Sequence, residues 1–112
     1  MFLCLPHGQA SEQIEKFSGL AEYIVDCSAD FRLRDPAAFE KWYGKPHPNP
    51  DYLEKFVYGL AEFHREELKN AKWVSGVGCN ATASNLALHP LAKEGLIEKA
   101  VIEVKVLSLI HI

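Results

Sequence analysis

Four runs of apolar residues along the chain predict the β-strands of this protein. Three of the runs are short and nearly continuous, which is typical of strands buried inside a sheet. The fourth alternates apolar and polar positions, which is typical of a strand with one face in solvent. The four predicted strands span residues 1–5, 23–27, 72–77 and 99–106.

Helical signals fill the segments between these runs. A first helix is predicted with Ser11 as its N-cap and with apolar residues on one face, at Ile14, Phe17, Leu20 and Ala21. Asp35 followed by Pro36 predicts the start of a second helix, and Gly44 predicts its end. Further helices are predicted from Asp51 to Phe56, from Arg65 to Ala71, and from Cys79 to about Lys93 with a kink at Pro90.

The alternation of strands and helices predicts an α/β fold with a parallel sheet covered by helices. In such sheets ligands collect beyond the carboxyl ends of the strands. Three loops would meet there if their strands are parallel neighbours: Pro6-His7-Gly8, Ser28-Ala29-Asp30 and Gly78-Cys79-Asn80.

Composition narrows the class of protein. The chain is 48% hydrophobic and 24% charged with a net charge of −3, which indicates one globular domain and, without a basic cluster, no nucleic-acid partner. No apolar stretch is long enough for a membrane span, and no signal-peptide pattern opens the chain. Three widely spaced cysteines predict a reducing cytoplasm and no metal site.

Cys79 is the first candidate for chemistry. It follows a glycine-rich run at a predicted helix start, where helix amides and the dipole favour a thiolate, and Asn80 and Thr82 offer hydrogen bonds. A buried, inert thiol remains the alternative. That inert role is our prediction for Cys4 and Cys27, which lie within apolar runs.

Other candidates have equally open roles. His7 either faces the same crevice as a general base or makes only loop contacts. Arg32 either binds phosphate or carboxylate, or belongs to a solvated surface pair with Arg34. His47 and His64 lie in polar surroundings and are predicted to be exposed.

Longer motifs resemble a known family. The segments FLCLPHG, VDCSADFRLRDPAAFEKWYG, VYGLAEFHREELKNAKWV and GCNATASNLALHPLAKEGLIEKAVIEVKV occur in the order found in N-acetyl-γ-glutamyl-phosphate reductases. The resemblance runs over residues 1–106. The S-A-D-F-R block and the G-C-x-x-T block are specific in combination.

The resemblance implies both a fold and an activity. Residues 1–78 would form the C-terminal half of a Rossmann-type NAD(P)-binding domain, and residues 79–106 the first helix and strand of an α+β catalytic and dimerisation domain. Family enzymes reduce an acyl phosphate to a semialdehyde with NADPH through a cysteine thioester, a role that falls on Cys79. The family's cofactor loops match Pro6, His7 and Gly8, and also Ser28 and Ala29.

One departure from the family pattern points to a substrate class. Where much of the family has N-P-G-C-Y, this chain has Gly-Val-Gly-Cys-Asn, so that Asn80 follows the cysteine. This resembles the branch that acts on aminoadipyl or glutamyl phosphate linked to an amino-group carrier protein, with Asn80 and Arg32 as candidate substrate-binding residues. N-acetyl-γ-glutamyl phosphate is the alternative substrate, and a homo-oligomer is implied for the parent enzyme.

The ends of the chain suggest a fragment. The family's glycine-rich loop would precede residue 1, and its acid–base histidine would lie beyond residue 106, so the isolated chain is expected to be inactive. Residues 107–112, LSLIHI, match one reading frame of a sequencing adapter, and we expect them to be non-native; a native strand end is the alternative. Two other readings remain: a non-catalytic α/β binding module, and a cysteine hydrolase that uses His7 as base.

Overall fold

The protein is described by a computed structural model over residues 1–105. The chain forms two compact units, Met1–Val77 and the segment from Gly78 onward. Within the first unit the elements in chain order are β1 (Phe2–Leu3), α1 (Gln9–Ser18), β2 (Ile24–Asp26), α2 (Pro36–Tyr43), a 3-10 helix (Pro50–Lys55), β3 (Phe56–Tyr58), α3 (Ala61–Leu68) and β4 (Trp73–Ser75). The second unit contains α4 (Cys79–Lys93).

The four strands form one parallel sheet in the order β1-β2-β4-β3. Leu3 lies opposite Asp26, Asp26 opposite Ser75, and Ser75 opposite Tyr58. Helices connect the parallel strands, as in Rossmann-type domains, so the predicted α/β class is confirmed. The strands predicted within residues 1–5, 23–27 and 72–77 are present but shorter, and they are neighbours in the sheet.

Apolar side chains from the sheet and helices form the core of the first unit. Phe31 and Phe56 stack with ring centroids 4.1 Å apart. Burying two aromatic rings removes a large apolar area from water, which makes this pair a main stabilising contact. The buried members of the core cluster are Leu3, Ala10, Ile14, Ile24, Phe31, Leu53 and Phe56.

Strand β3, the third strand in chain order, was not predicted. The expected helix from Asp51 to Phe56 is instead a 3-10 helix that ends at Lys55, and Phe56–Tyr58 forms β3 beside β4. Three residues are too few to show a period of two in the sequence. The pairing with β4, rather than local propensity, decides the conformation of this segment.

Two predicted helix starts were wrong. Helix α1 begins at Gln9, with Gly8 rather than Ser11 as its N-cap. The helix ends at Ser18, so Leu20 lies beyond it and is exposed. Helix α3 spans Ala61–Leu68, four residues earlier than predicted, because the amides of Phe63 and His64 already donate to the Leu60 carbonyl.

The predicted bounds of α2 are confirmed. Asp35 Oδ1 accepts a hydrogen bond from the Ala37 amide at 2.9 Å, and Pro36 takes the first helical position. Gly44 ends the helix with a positive φ of 71°, a conformation that glycine adopts without strain.

The second unit contains α4 and a following extended segment. Helix α4 runs from Cys79 to Lys93 with Pro90 inside it, in agreement with the predicted range. The strand predicted over 99–106 is absent from its described part, residues 99–105, because a strand requires a paired neighbour and none lies there. The assignment of this unit to a catalytic and dimerisation domain stays a prediction, and residues 107–112 lie outside the described residues.

Among residues 1–105, no helix combines the length and the apolar character that crossing a membrane requires.

Candidate functional site

The loops after β1, β2 and β4 lie at one edge of the sheet, because the three strands are parallel neighbours. Gly76, directly after β4, donates its amide to the Asp26 carbonyl at 2.6 Å. A Cβ at Gly76 would lie 3.0 Å from that carbonyl oxygen, so a side chain here would require the two strand ends to move apart by a few tenths of an ångström. The ends of β2 and β4 are therefore joined closely beneath the loops.

The loop after β1, residues 6–8, is fixed by a carboxylate from the loop after β2. The amides of Gly8 and Ser11 donate to Asp30 Oδ1 and Oδ2 at 2.7 and 2.9 Å. Asp30 is only 3% exposed. Its charge lies at the amino end of α1, where unpaired amides and the helix dipole favour an anion.

Asp30 was not singled out from the sequence. One feature of the sequence could have indicated a cap from elsewhere: Gly8, the residue before α1, has no side chain of its own to cap the helix. The carboxylate lies 22 residues from Gly8 in sequence, so only the fold brings the two together.

His7 is held by the same pair of loops. Its Nδ1 accepts a hydrogen bond from the Ala29 amide at 2.9 Å. A neutral ring that accepts at Nδ1 carries its proton on Nε2, which leaves Nε2 as a donor for a ligand. Since His7 is exposed and Ala29 buried, the loop supports the ring from below.

Ser28 supports the loop from inside. Its hydroxyl donates to Asp26 Oδ2 at 2.6 Å and accepts from the Asp30 amide at 3.1 Å. Burial raises the pKa of Asp26, whereas the hydrogen bonds from Ser28 oppose that rise. Only 2% of Ser28 is exposed, so its hydroxyl positions the loop rather than facing solvent.

Arg32 connects the loops after β2 and β4. Its Nε donates to the Gly76 carbonyl at 2.8 Å and its Nη2 to the Cys27 carbonyl at 3.3 Å. Arg34, in contrast, forms an exposed ion pair with Glu67 at 2.7 Å. In its described contacts, Arg32 thus uses one side of the guanidinium to hold the loops after β2 and β4 together.

Cys79 is the first residue of α4 and is exposed. Its thiol lies 3.6 Å from Asn80 Oδ1. The Thr82 hydroxyl donates a hydrogen bond to the Gly78 carbonyl at 2.8 Å, which fixes the first turn of the helix. The predicted nucleophile therefore lies at a helix start and is accessible within its own unit.

Cys4 and Cys27 are both exposed, so the prediction that they pack inside the core was wrong. Each lies one residue past the last buried residue of its strand, where the chain leaves the core and the loop begins. Their sulfur atoms are 3.9 Å apart.

His47 is buried, contrary to prediction. It contacts the rings of Phe31 and Phe39, with centroids 5.4 and 4.8 Å away, and its Nδ1 accepts the Asn49 amide at 3.1 Å. Burial lowers the pKa of His47. Polar neighbours in sequence misled the prediction, because the loop that contains Pro46, Pro48 and Pro50 places His47 against these two rings.

Among residues 1–105, no group of three or more His, Cys, Asp or Glu side chains is arranged to hold a metal ion.

Comparison with known proteins identifies the first unit. Residues 1–71 match the family model described as semialdehyde dehydrogenase, NAD binding domain. This match supports a nicotinamide nucleotide as the cofactor of the region that carries the joined loops.

Named relatives are similar over most of the chain. A LysW-L-2-aminoadipate/LysW-L-glutamate phosphate reductase of Sulfurisphaera tokodaii is 50% identical over 95% of this chain, and that of Saccharolobus solfataricus is 53% identical over 81%. An N-acetyl-gamma-glutamyl-phosphate reductase of Cereibacter sphaeroides is 50% identical over 87%.

The chain spans 31%, 26% and 28% of the lengths of these three relatives. The shared region is the part that holds the parallel sheet and its carboxyl-edge loops. On the family match and these identities, the chain belongs to the semialdehyde dehydrogenase NAD-binding domain family.

Proposed function

We propose that this chain is part of an NADPH-dependent reductase that converts an acyl phosphate to a semialdehyde. The observation that carries the proposal is the pair of joined loops at the carboxyl edge of a parallel sheet, in a chain of an NAD-binding family. Ligands of such sheets bind at this edge.

The carboxyl-edge residues fit a dinucleotide in chemical type. His7 Nε2–H and the backbone of residues 6–8 and 28–29 would hold the cofactor, since ribose and phosphate oxygens accept hydrogen bonds. When bound there, the nicotinamide would supply the hydride that reduces the acyl carbon. Asp30 and Ser28 keep the two loops in place, and Arg32 anchors them to β4.

Cys79 would be the nucleophile. Its sulfur attacks the acyl carbon, a C–S bond forms, the bond from that carbon to the phosphate oxygen breaks, and phosphate leaves. After hydride addition the C–S bond breaks and the semialdehyde departs, which restores the thiolate. Asn80 is the neighbouring polar group for the substrate, since its side-chain oxygen already lies beside the sulfur.

For the substrate we propose aminoadipyl or glutamyl phosphate linked to an amino-group carrier protein. The residue after the cysteine, Asn80, supports this choice, as do the names of the Sulfurisphaera and Saccharolobus relatives. N-acetyl-γ-glutamyl phosphate is the second candidate, because the Cereibacter relative, named for it, is 50% identical, the same identity as the Sulfurisphaera relative. Competition between the two substrates in one assay separates the candidates.

The proposal is tested in the full-length protein. We expect oxidation of a semialdehyde that requires phosphate and reduces NADP+, and a loss of about a thousandfold or more in Cys79→Ser, because the covalent nucleophile is removed. Asn85→Ala, an exposed change on the same helix, serves as the control. Full activity in Cys79→Ser contradicts the assigned nucleophile, and a preference for NAD+ contradicts the assigned cofactor. Light scattering of the same preparation tests the expected homo-oligomer.

A further inference from the structure

The two thiols at the ends of β1 and β2 lie beside each other because of the strand register. Leu3 is paired with Asp26, so the next residues along the two strands, Cys4 and Cys27, are opposite each other. The Cys27 amide donates to the Leu3 carbonyl at 2.9 Å, which extends the ladder to this point. Both residues are exposed, and their sulfurs are 3.9 Å apart.

This spacing suits a covalent bond between the sulfurs. Neighbouring strands are about 4.8 Å apart, and disulfides form at Cα separations of about 4.4–6.8 Å. The sulfurs need to approach from 3.9 Å to about 2.05 Å, a change on the scale of side-chain rotation.

We propose that Cys4 and Cys27 are an oxidisable dithiol, which a peroxide converts to an intramolecular disulfide beneath the two loops of the nucleotide site. One thiolate attacks a peroxide oxygen and forms a sulfenic acid as the O–O bond breaks. The second thiol attacks that sulfur, the S–O bond breaks, and water leaves. In total, two thiols and one hydrogen peroxide give one disulfide and two water molecules.

The groups around Cys27 set the direction of its pH dependence. Partial removal from water and the adjacent Cys4 thiol raise the pKa of Cys27. The negative charge of Asp26 raises this pKa further, and the positive charge of Arg32 lowers it. Since the thiolate is the reactive form, oxidation accelerates as the pH increases. Cys79 provides a comparison within the same molecule, because it is also exposed but its sulfur lies against the Asn80 side chain rather than beside a second thiol.

The test is peptide mapping of the full-length protein after treatment with hydrogen peroxide and alkylation of the remaining thiols. We expect a disulfide-linked pair of tryptic peptides ending at Lys16 and Arg32, lighter by two hydrogens than the reduced pair and separated by dithiothreitol. Cys4→Ser and Cys27→Ser should each abolish the linked pair and leave the remaining thiol as a sulfinic acid.

Two results would overturn the proposal. The first is recovery of both thiols in alkylated form under conditions that oxidise Cys79. The second is independent conversion of Cys4 and Cys27 to sulfinic acids in the wild-type protein without a linked peptide. Since the decisive measurement is made on the wild type, a failure of either serine variant to fold does not affect it.

Discussion

Asp30→Ala should destabilise the protein more than any ordinary helix-cap change. The Asp30 carboxylate accepts the amides of Gly8 and Ser11, at 2.7 and 2.9 Å, and is 3% exposed. Its removal leaves the buried Ser11 amide and the half-buried Gly8 amide without their acceptor. It also takes the negative charge away from the amino end of α1 and frees the loop that carries His7.

The magnitude follows from these two bonds. A hydrogen bond to a charged group contributes about 1.5–3 kcal/mol, and since both bonds share one carboxylate we expect a total loss of about 2–4 kcal/mol. With a urea m-value of about 1–3 kcal/mol/M, the midpoint of unfolding would fall by roughly 1 M or more. Asp30→Asn keeps one acceptor oxygen, so about half of the loss is expected.

Asp35→Ala is the matched control. Asp35 caps α2 through the Ala37 amide at 2.9 Å, but in an exposed position, so its loss should cost about 1 kcal/mol. Urea unfolding of the three variants and the wild type, followed by far-ultraviolet circular dichroism, measures the difference. An Asp30→Ala variant no less stable than Asp35→Ala would refute the reasoning that the buried carboxylate joins the loops.

Three further predictions concern the same edge and the core. Gly76→Ala should cost about 1–3 kcal/mol in urea unfolding, because its Cβ would meet a fixed carbonyl, whereas Gly19→Ala should change little. Arg32→Ala should cost about 1–2 kcal/mol, and Arg34→Ala, which breaks only an exposed pair, under about 1 kcal/mol; equal losses would contradict the bracing role. His47→Gln should flatten the dependence of the urea midpoint on pH.

The sign of the His47 effect follows from its burial. Its pKa in the folded state is below the ordinary value of 6.5, so the unfolded state binds more protons as the pH falls through that value. The wild type should therefore lose stability as the pH falls from about 7 through 6.5 toward the lower folded pKa. Glutamine retains an acceptor for the Asn49 amide and does not titrate, and an equally steep loss in His47→Gln would contradict the assignment.

Elements whose signals are local could be predicted from the sequence. The bounds of α2 follow from Asp35, Pro36 and Gly44, which cap and end the helix within a few residues of one another. The three buried strands follow from apolar runs. Their parallel order could be inferred because helices connect them, and parallel strands require such crossovers.

Features that depend on distant contacts could not be predicted. Strand β3 exists because it pairs with β4, and α1 begins at Gln9 because Asp30 supplies a cap from another loop. The exposure of Cys4 and Cys27 follows from where each strand leaves the core, and an apolar run in the sequence does not show that point.

The side chains that fix the candidate nucleotide site are mostly buried ones that would not touch a nucleotide. Asp26, Ser28 and Asp30 are each at most 3% exposed. Asp30 joins the loops after β1 and β2 through hydrogen bonds, and Asp26 and Ser28 hold the loop that carries Asp30. Loops at the end of a parallel sheet lose the ladder bonds that satisfy strand amides, so buried polar side chains must replace those partners. The Ala29 amide of the loop held in this way donates to His7 Nδ1 and keeps the exposed ring in one orientation, which lowers the ordering cost of binding a ligand. The stability of this edge and its capacity to bind therefore have one physical origin.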